Sequence, residues 1–413
     1  MKIVVFFNTA YSHVVGGLQI IAPLIQENEV HVFVEKRFEN LITDNRIVVH
    51  FYNDECSKKS RKIMEEYPEY TGGIGSACKQ ENDISGYKKE IISMLDYSLR
   101  ASKGYFEDLI LIVKRIDPDL IIRDSCAIFG RMIADYLKIP VYGYCTSPVL
   151  TEKEIQHNKR IYLELISNWN LDKYNDSEID NLYFDIRKDF EEKCRYYGIR
   201  ILPTDYLINP DEEKNISYSL PFENIKDGRY YYFKPFIFSK PDIEEKKEYA
   251  YVSAGTVVNF PIYVYNAILN SLPKRYKKTI ITLKYIDTGI IKTNHIPNNV
   301  EIVPFVNQKD ILQKSKLFIT HAGYNSLLEG IYYKVPMIAI PLSNDQFLNA
   351  YFFQKNKVCI STKKENLKFG KEIFNLLDNM PNLDGFDHLI KQFNELPDIS
   401  KIEELLWAKG ILL

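Results

Sequence analysis

The residues of this chain whose types and spacing could do chemistry begin with one stretch. Residues 317–350 read LFITHAGYNSLLEGIYYKVPMIAIPLSNDQFLNA. A strand ending at Thr320 runs into a tight His321-Ala322-Gly323 loop, and a helix is expected from about Asn325 or Ser326. A helix N-terminus presents unpaired N–H groups and a partial positive charge, a ready site for phosphate. Gly323 lets the backbone come close to a ligand, and His321 can donate to a phosphate oxygen. Ser326 and Glu329 also spell an S-x-x-E capping box, which would start the helix with no ligand at all.

Two further residues suit proton transfer. His13, in Tyr11-Ser12-His13, is expected in the loop after the first strand and just before a helix. In an α/β domain that position lies at the carboxyl edge of the sheet, where ligands bind. A neutral imidazole there can act as a general base, and a nearby helix N-terminus disfavours its charged form. Asp124 ends the strand-like run 119–123 at the same kind of edge. Its carboxylate could orient the ring and stabilise the imidazolium. A lone loop histidine is otherwise an ordinary surface residue.

These residues need strands and helices to position them. Residues 3–7 are a continuous apolar run, followed by a turn expected at Gly16-Gly17, a helical stretch at 18–26 and a strand at 30–34. The unit recurs as strand 120–123, helix 127–137 and strand 141–144. Continuous apolar strands separated by helices indicate a parallel sheet covered on both faces. From about 151 to 235 the pattern turns polar, Tyr-rich and mostly helical. The rhythm restarts with strands expected at 249–253, 278–283, 300–303, 317–320 and 337–340. The expected organisation is a Rossmann-like domain at 1–235, a linker at 236–247, a second at 248–390, and a terminal helix at 391–413.

Composition narrows the classes. At 413 residues two domains are the default, and a formal charge of −2 gives no global attraction to nucleic acid or anionic lipid. The six Cys are scattered without a CxxC pair, which argues against a zinc cluster or disulfide framework and suits a reducing cytoplasm. No run of about 18 apolar residues exists to span a membrane, and residues 2–7 read as a strand rather than a signal peptide.

The segment 317–350 resembles the donor-binding signature of the family 1 glycosyltransferases, the UDP-glycosyltransferases, and within them the bacterial macrolide-glycosyltransferase type. His321, Gly323, Ser326, Glu329, Pro336, Pro341, Asp345, Gln346, Asn349 and Ala350 fall in register with the family pattern. Lys334 departs from it, standing where the family usually carries Gly. The resemblance implies a GT-B fold: α/β, two facing Rossmann-like doubly wound parallel-sheet domains with a cleft between them, the terminal helix at 391–413 crossing back to brace the first. It implies that His321, Gly323, Asn325 and Ser326 bind the donor diphosphate, that Glu329 accepts from both ribose hydroxyls, and that Asp345 and Gln346 hold sugar hydroxyls. Ser253, Gly255 and Thr256 resemble an S-x-G-T loop lining the diphosphate. Phe305 and Gln308 occupy the place of W-x-P-Q, with Phe305 for the uracil-stacking Trp and Asn307 for the Pro; Phe305 could instead be core. His13 and Asp124 fall where the family carries its base and partner.

The activity so implied is an inverting, metal-independent transfer of a hexose, glucose by expectation, from a UDP-sugar to a hydroxyl of a small aromatic or apolar acceptor. No cofactor is expected, and no metal: Asp117-Pro118-Asp119 has a D-x-D form, but it opens a strand rather than following one. The acceptor pocket is expected from 151–235, with Tyr162, Trp169, Tyr183, Phe184, Tyr196, Tyr197 and Tyr230 to Phe233 either lining it or forming core. Two rivals stand beside this reading. A membrane-surface glycolipid or cell-wall-precursor transferase of the same fold would want a basic face, and 274–278 is the candidate cluster. A catalytically silent sugar-nucleotide-binding protein would not need the His13–Asp124 pair. The sequence names neither the acceptor nor an oligomeric state.

Overall fold

The structure is a computed structural model and describes residues 1–53, 58, 62–63, 83–167, 171–200, 212–221, 228–239, 246–255, 259–283, 296–342, 345–367 and 372–407. The chain forms two compact units, Met1–Lys234 with Leu396–Leu413, and Pro235–Glu395.

The first unit is built on β1 (Lys2–Phe6), β2 (Glu29–Val34), β3 (Val48–Phe51), β4 (Leu120–Asp124), β5 (Val141–Cys145), β6 (Lys214–Ser217) and β7 (Tyr230–Tyr232). Their spatial order is β3-β2-β1-β4-β5-β6-β7, and every neighbouring pair is parallel. Both faces are covered, which is why the strands read as unbroken apolar runs. Ile3, Val5 and Phe7 enter one core with Val14, Ile20 and Ile21 of the helix Tyr11–Ile21. Val4 and Phe6 enter another with Tyr105, Leu109 and Val113 of the long helix Ile84–Ile116.

The second unit carries β8 (Tyr249–Ser253), β9 (Lys278–Thr282), β10 (Val300–Val303), β11 (Ser315–Thr320), β12 (Met337–Ala339) and β13 (Cys359–Ser361). These are also all parallel, in the order β10-β9-β8-β11-β12-β13. In each sheet the order reverses once, between β1 and β4 and between β8 and β11. The loops leaving such a pair diverge and open a crevice at the strand carboxyl ends. Both sites expected from the sequence fall on these two reversals.

Several expectations need correction. Gly16 and Gly17 are not a turn but lie inside the helix Tyr11–Ile21. They let the helix press onto the sheet: a Cβ at Gly17 would stand 2.5 Å from the Phe7 ring and the Tyr144 hydroxyl, and one at Gly16 would stand 2.7 Å from Thr146. The strand rhythm does not end at 151 either. After the helices Glu152–His157, Lys159–Ser167 and Asp176–Tyr197, β6 and β7 extend the sheet. Their sequences, KNIS and YYY, carry no aliphatic run to reveal them. Within the expected linker, Phe236–Ser239 is a helical turn of the second unit whose Phe238 ring stacks on Phe393 at 4.7 Å; 240–245 lie outside the described residues. At the chain's end Ile402 is buried in the first unit's core, Lys234 N–H donates to the Pro397 carbonyl at 2.9 Å, and Asn28 donates to Glu403 at 3.1 Å. Among the described residues no helix is long and apolar enough to cross a membrane.

Candidate functional site

In the first unit the helix Tyr11–Ile21 begins directly after the loop from β1, so His13 sits in its first turn rather than in the loop before it. Its Nδ1 lies 2.8 Å from Asp124 Oδ2. Asp124, the last residue of β4, has a fully buried side chain, whereas His13 keeps 21% of its side chain exposed. The second carboxylate oxygen accepts from the Cys126 amide at 2.8 Å, so the carboxyl group is held at both oxygens. Where the carboxylate accepts this contact, the ring is the Nδ1–H tautomer and its lone pair is on Nε2. Beneath the pair, Tyr144 hydroxyl donates to the His13 carbonyl at 3.4 Å. Burial, with the Asp124 charge adding to it, pushes this phenol well above its ordinary range, so it stays a neutral donor. The geometry is that of an oriented general base.

Among the described residues, His13, Asp124 and Cys126 are the one grouping whose nitrogen, carboxylate and thiol ligand atoms lie within 4.8 Å of one another, as a metal would need. The D-x-D residues stand elsewhere. Asp117 takes a left-handed turn, with φ 54°, after the long helix. Asp119 accepts from the Lys2 amide at 2.7 Å, at the amino edge of the sheet.

In the second unit the loops after β8 and β11 lie side by side, with His321 N–H donating to the Ser253 carbonyl at 3.3 Å. Gly255 (φ 83°) and Gly323 clasp the His321 ring: a Cβ at either would stand 2.5 or 2.6 Å from it. Burial lowers this imidazole from 6.5 to about 4, so it is neutral at physiological pH. Ala322 takes the left-handed conformation at φ 67°, unusual for a residue with a Cβ. It is held there by Asn349 Nδ2 on its carbonyl at 3.0 Å and by Thr320 Oγ1 accepting its amide at 3.2 Å.

The helix that follows is Tyr324–Tyr332, with Gly323 as its N-cap and no side-chain cap bond. It starts earlier than expected, and Ser326 lies within its first turn. The capping-box reading therefore fails. Ser326 Oγ and Glu329 Oε2 instead accept from Gln308 Nε2 at 3.2 and 2.7 Å, while Gln308 Oε1 accepts from Tyr251 hydroxyl at 3.2 Å. Ser326, Glu329 and Gln308 are thus one hydrogen-bonded group, and Asn325 is exposed on the same first turn. Phe305 is not core: its ring is 78% exposed. Ser253 Oγ accepts from Gly255 N–H at 3.2 Å, and Thr256 lies outside the described residues. Asp345 accepts from Asn349 at 3.0 Å, and Gln346 Oε1 accepts from the Leu342 amide at 2.8 Å. Both therefore help to fold their own loop and helix start.

Sequence reading missed Tyr144, Cys126 and the positioning role of Asn349; only the last carried a signal, by its place in the motif. The aromatics expected to wall an acceptor pocket divide differently. Tyr162, Tyr183, Tyr230 and Phe233 are core, and Phe184 and Tyr196 are 53% and 80% exposed. Trp169 lies outside the described residues. In the basic cluster 274–278, Arg275, Lys277 and Lys278 are paired with Asp378, Glu248 and Glu301.

Residues 246–377 match the family described as UDP-glucoronosyl and UDP-glucosyl transferase. The chain is 25% identical over 333 residues to the uncharacterized UDP-glucosyltransferase YojK of Bacillus subtilis (strain 168), covering 78% of this chain and 79% of that one. It is also 25% identical over 365 residues to the NDP-glycosyltransferase YjiC of the same organism, covering 79% and 86%. Among solved structures, glycosyltransferase VinC in complex with dTDP superimposes with a TM-score of 0.64 at 14% identity, covering 98% of each chain.

Proposed function

We propose, from the premise that the chain belongs to the family 1 glycosyltransferases of bacterial type and is a glycosyltransferase with a nucleotide-sugar donor, that it transfers a hexose from UDP-sugar to a hydroxyl of a small acceptor with inversion. The observation that carries this reading is the His13 Nδ1–Asp124 Oδ2 contact of 2.8 Å, which leaves Nε2 as the basic nitrogen. His13 removes the acceptor proton as the oxygen attacks the anomeric carbon. Asp124 stabilises the imidazolium that results. A single displacement on an α-linked donor gives a β-glycoside, and the diphosphate leaves.

The second unit receives the donor. The amides of the first turn after Gly323 and the neutral His321 ring bind the diphosphate. Glu329, oriented by Gln308, accepts from both ribose hydroxyls and so favours UDP over dTDP, since a 2′-deoxyribose leaves one carboxylate bond unmade. Phe305 offers its exposed face to uracil, and Asp345 and Gln346 contact the sugar, glucose by preference. Transfer uses no metal. The aromatic argument for the acceptor weakens with Tyr162, Tyr183, Tyr230 and Phe233 in the core, so phenolic, macrolide and sugar hydroxyls are all to be tested.

Turnover of UDP-glucose and dTDP-glucose against such a panel, with and without EDTA, tests the reading. Glycoside formation that prefers UDP-glucose and ignores EDTA supports it. Binding of UDP-glucose without turnover of any acceptor would point instead to a silent sugar-nucleotide-binding protein.

A further inference from the structure

A buried ionic network lies directly behind the His13–Asp124 pair. Arg123, the residue before Asp124 on β4, is completely buried. Its Nε donates to Glu212 Oε1 at 2.5 Å. Its Nη1 donates to two carbonyls, those of Asp124 at 3.1 Å and Ser125 at 2.8 Å. Glu212 is itself fully buried and also pairs with Arg131, which in turn reaches Asp135 at 3.0 Å. Two cations and two carboxylates thus balance. Gly130 makes room for the arrangement: a Cβ there would stand 3.1 Å from Arg123 Cβ and 2.8 Å from the Phe6 ring.

Such a network is weak evidence for stability alone, because well-packed apolar residues often replace a buried ion pair without loss. What distinguishes this one is where the guanidinium points. The backbone of 124–126 decides where the Asp124 carboxylate goes, because Asp124 supplies one oxygen to His13 and the other accepts from the Cys126 amide. Arg123 fixes the carbonyls of residues 124 and 125 in that same segment. The planar fork holds Glu212 with one nitrogen and the two carbonyls with another, whereas an ammonium has all its donors on one nitrogen at the end of a flexible stem. Glu212 stands just ahead of β6, so the end of the long excursion after β5 locks the loop that ends β4.

We propose that Arg123, anchored by Glu212, is a positioning residue for transfer: it holds the 124–126 segment so that the Asp124 carboxylate meets His13 Nδ1. This rests on the reading of His13 as the base. Arg123→Lys tests it, because that substitution keeps the charge and removes the fork. Folding is checked by circular dichroism and melting, and donor affinity by calorimetry with UDP. The expected result is a folded protein with near-native UDP affinity and kcat lowered roughly 10–100-fold. The acid limb of kcat/KM, set by protonation of His13, moves to lower pH by about half a unit or more as the carboxylate's help is weakened. Loss of stability alone would leave that limb in place. If Arg123→Lys proves insoluble, Glu212→Gln, which keeps the hydrogen-bonding shape, is read the same way and should move the limb in the same direction. A folded Arg123→Lys with wild-type kcat and limb, alongside an inactive His13→Ala, overturns the positioning role. An active His13→Ala instead removes the premise.

Discussion

At the scale of single residues the two units use opposite means to control an imidazole. His13 is partly exposed and bound to a buried carboxylate; His321 is enclosed by two glycines and kept neutral by burial. Each makes a separate prediction. His13→Ala should lose at least about 100-fold in kcat, the contribution of a placed base. Asp124→Asn should lose nearly as much, because an amide can donate to Nδ1 and so favour the wrong tautomer. Steady-state kinetics at fixed pH measures both, and a His13→Ala enzyme keeping more than a tenth of its turnover would contradict the assignment. For His321 the sign follows from linkage. Its unfolded ring protonates near 6.5 and its folded ring only near 4. Between those values the unfolded state holds more protons, so stability falls as pH drops. From pH 7 to pH 5 the loss is about 2 kcal/mol, fully restored above 6.5. His321→Gln should lack this slope, read as hydrogen-exchange protection of β8 and β11 at the two pH values.

At the scale of elements, legibility followed how much of an element's reason lay in its own side chains. β1, β2, β4, β8 and β11 are buried on both faces and announced themselves as apolar runs. β6 did not, since Lys214, Asn215 and Ser217 are buried polar residues whose place is set by neighbours rather than by pattern, and β7 is three tyrosines with no aliphatic run. Gly16-Gly17 misled for a related reason. Glycine marks a turn in local terms, yet here it marks close packing against Phe7 and Tyr144 across the sheet. The site divided the same way. The residues carrying a motif were readable one by one, whereas Tyr144 and Glu212 act from far along the chain and carried no motif. Ser326 shows a subtler failure: the S-x-x-E spacing is real, but the helix begins earlier at Gly323, so the same two residues serve Gln308 instead. Lys334 shows a departure gaining a physical meaning. Its φ is 49°, a conformation that costs a residue with a Cβ roughly 1–2 kcal/mol, which accounts for Gly being usual there. Its exposed ion pair with Asp387 offsets little of that. Lys334→Gly should therefore stabilise the second unit by about 0.5–1 kcal/mol, seen as a higher urea midpoint with an unchanged slope. A lower midpoint would mean that the lysine's other contacts outweigh the strain.

At the scale of the whole chain, the path of the polypeptide ties the ends of the sequence to one unit. After Glu395 the chain returns to the unit it began in. Asp398 caps the turn Ile399–Lys401, accepting from the Ser400 amide at 2.9 Å. That bond leads the causes that lower the Asp398 carboxyl, so the cap stays ionised at neutral pH. The turn delivers Ile402, fully buried, into the core formed by Ile3, Val5, Val30 and Leu24. A residue so placed contributes its burial and fills a space that its neighbours cannot close, so Ile402→Ala should cost about 2–4 kcal/mol. The loss should not spread evenly. Amides of β1 and β2, which share the core with Ile402, should exchange faster by the corresponding factor, while amides of β8 and β11 keep their protection, because those strands belong to a separate core. Equal loss in both sheets would show that the two units unfold as one cooperative body, and the closing segment would then be a support of the entire chain rather than of the unit that holds His13.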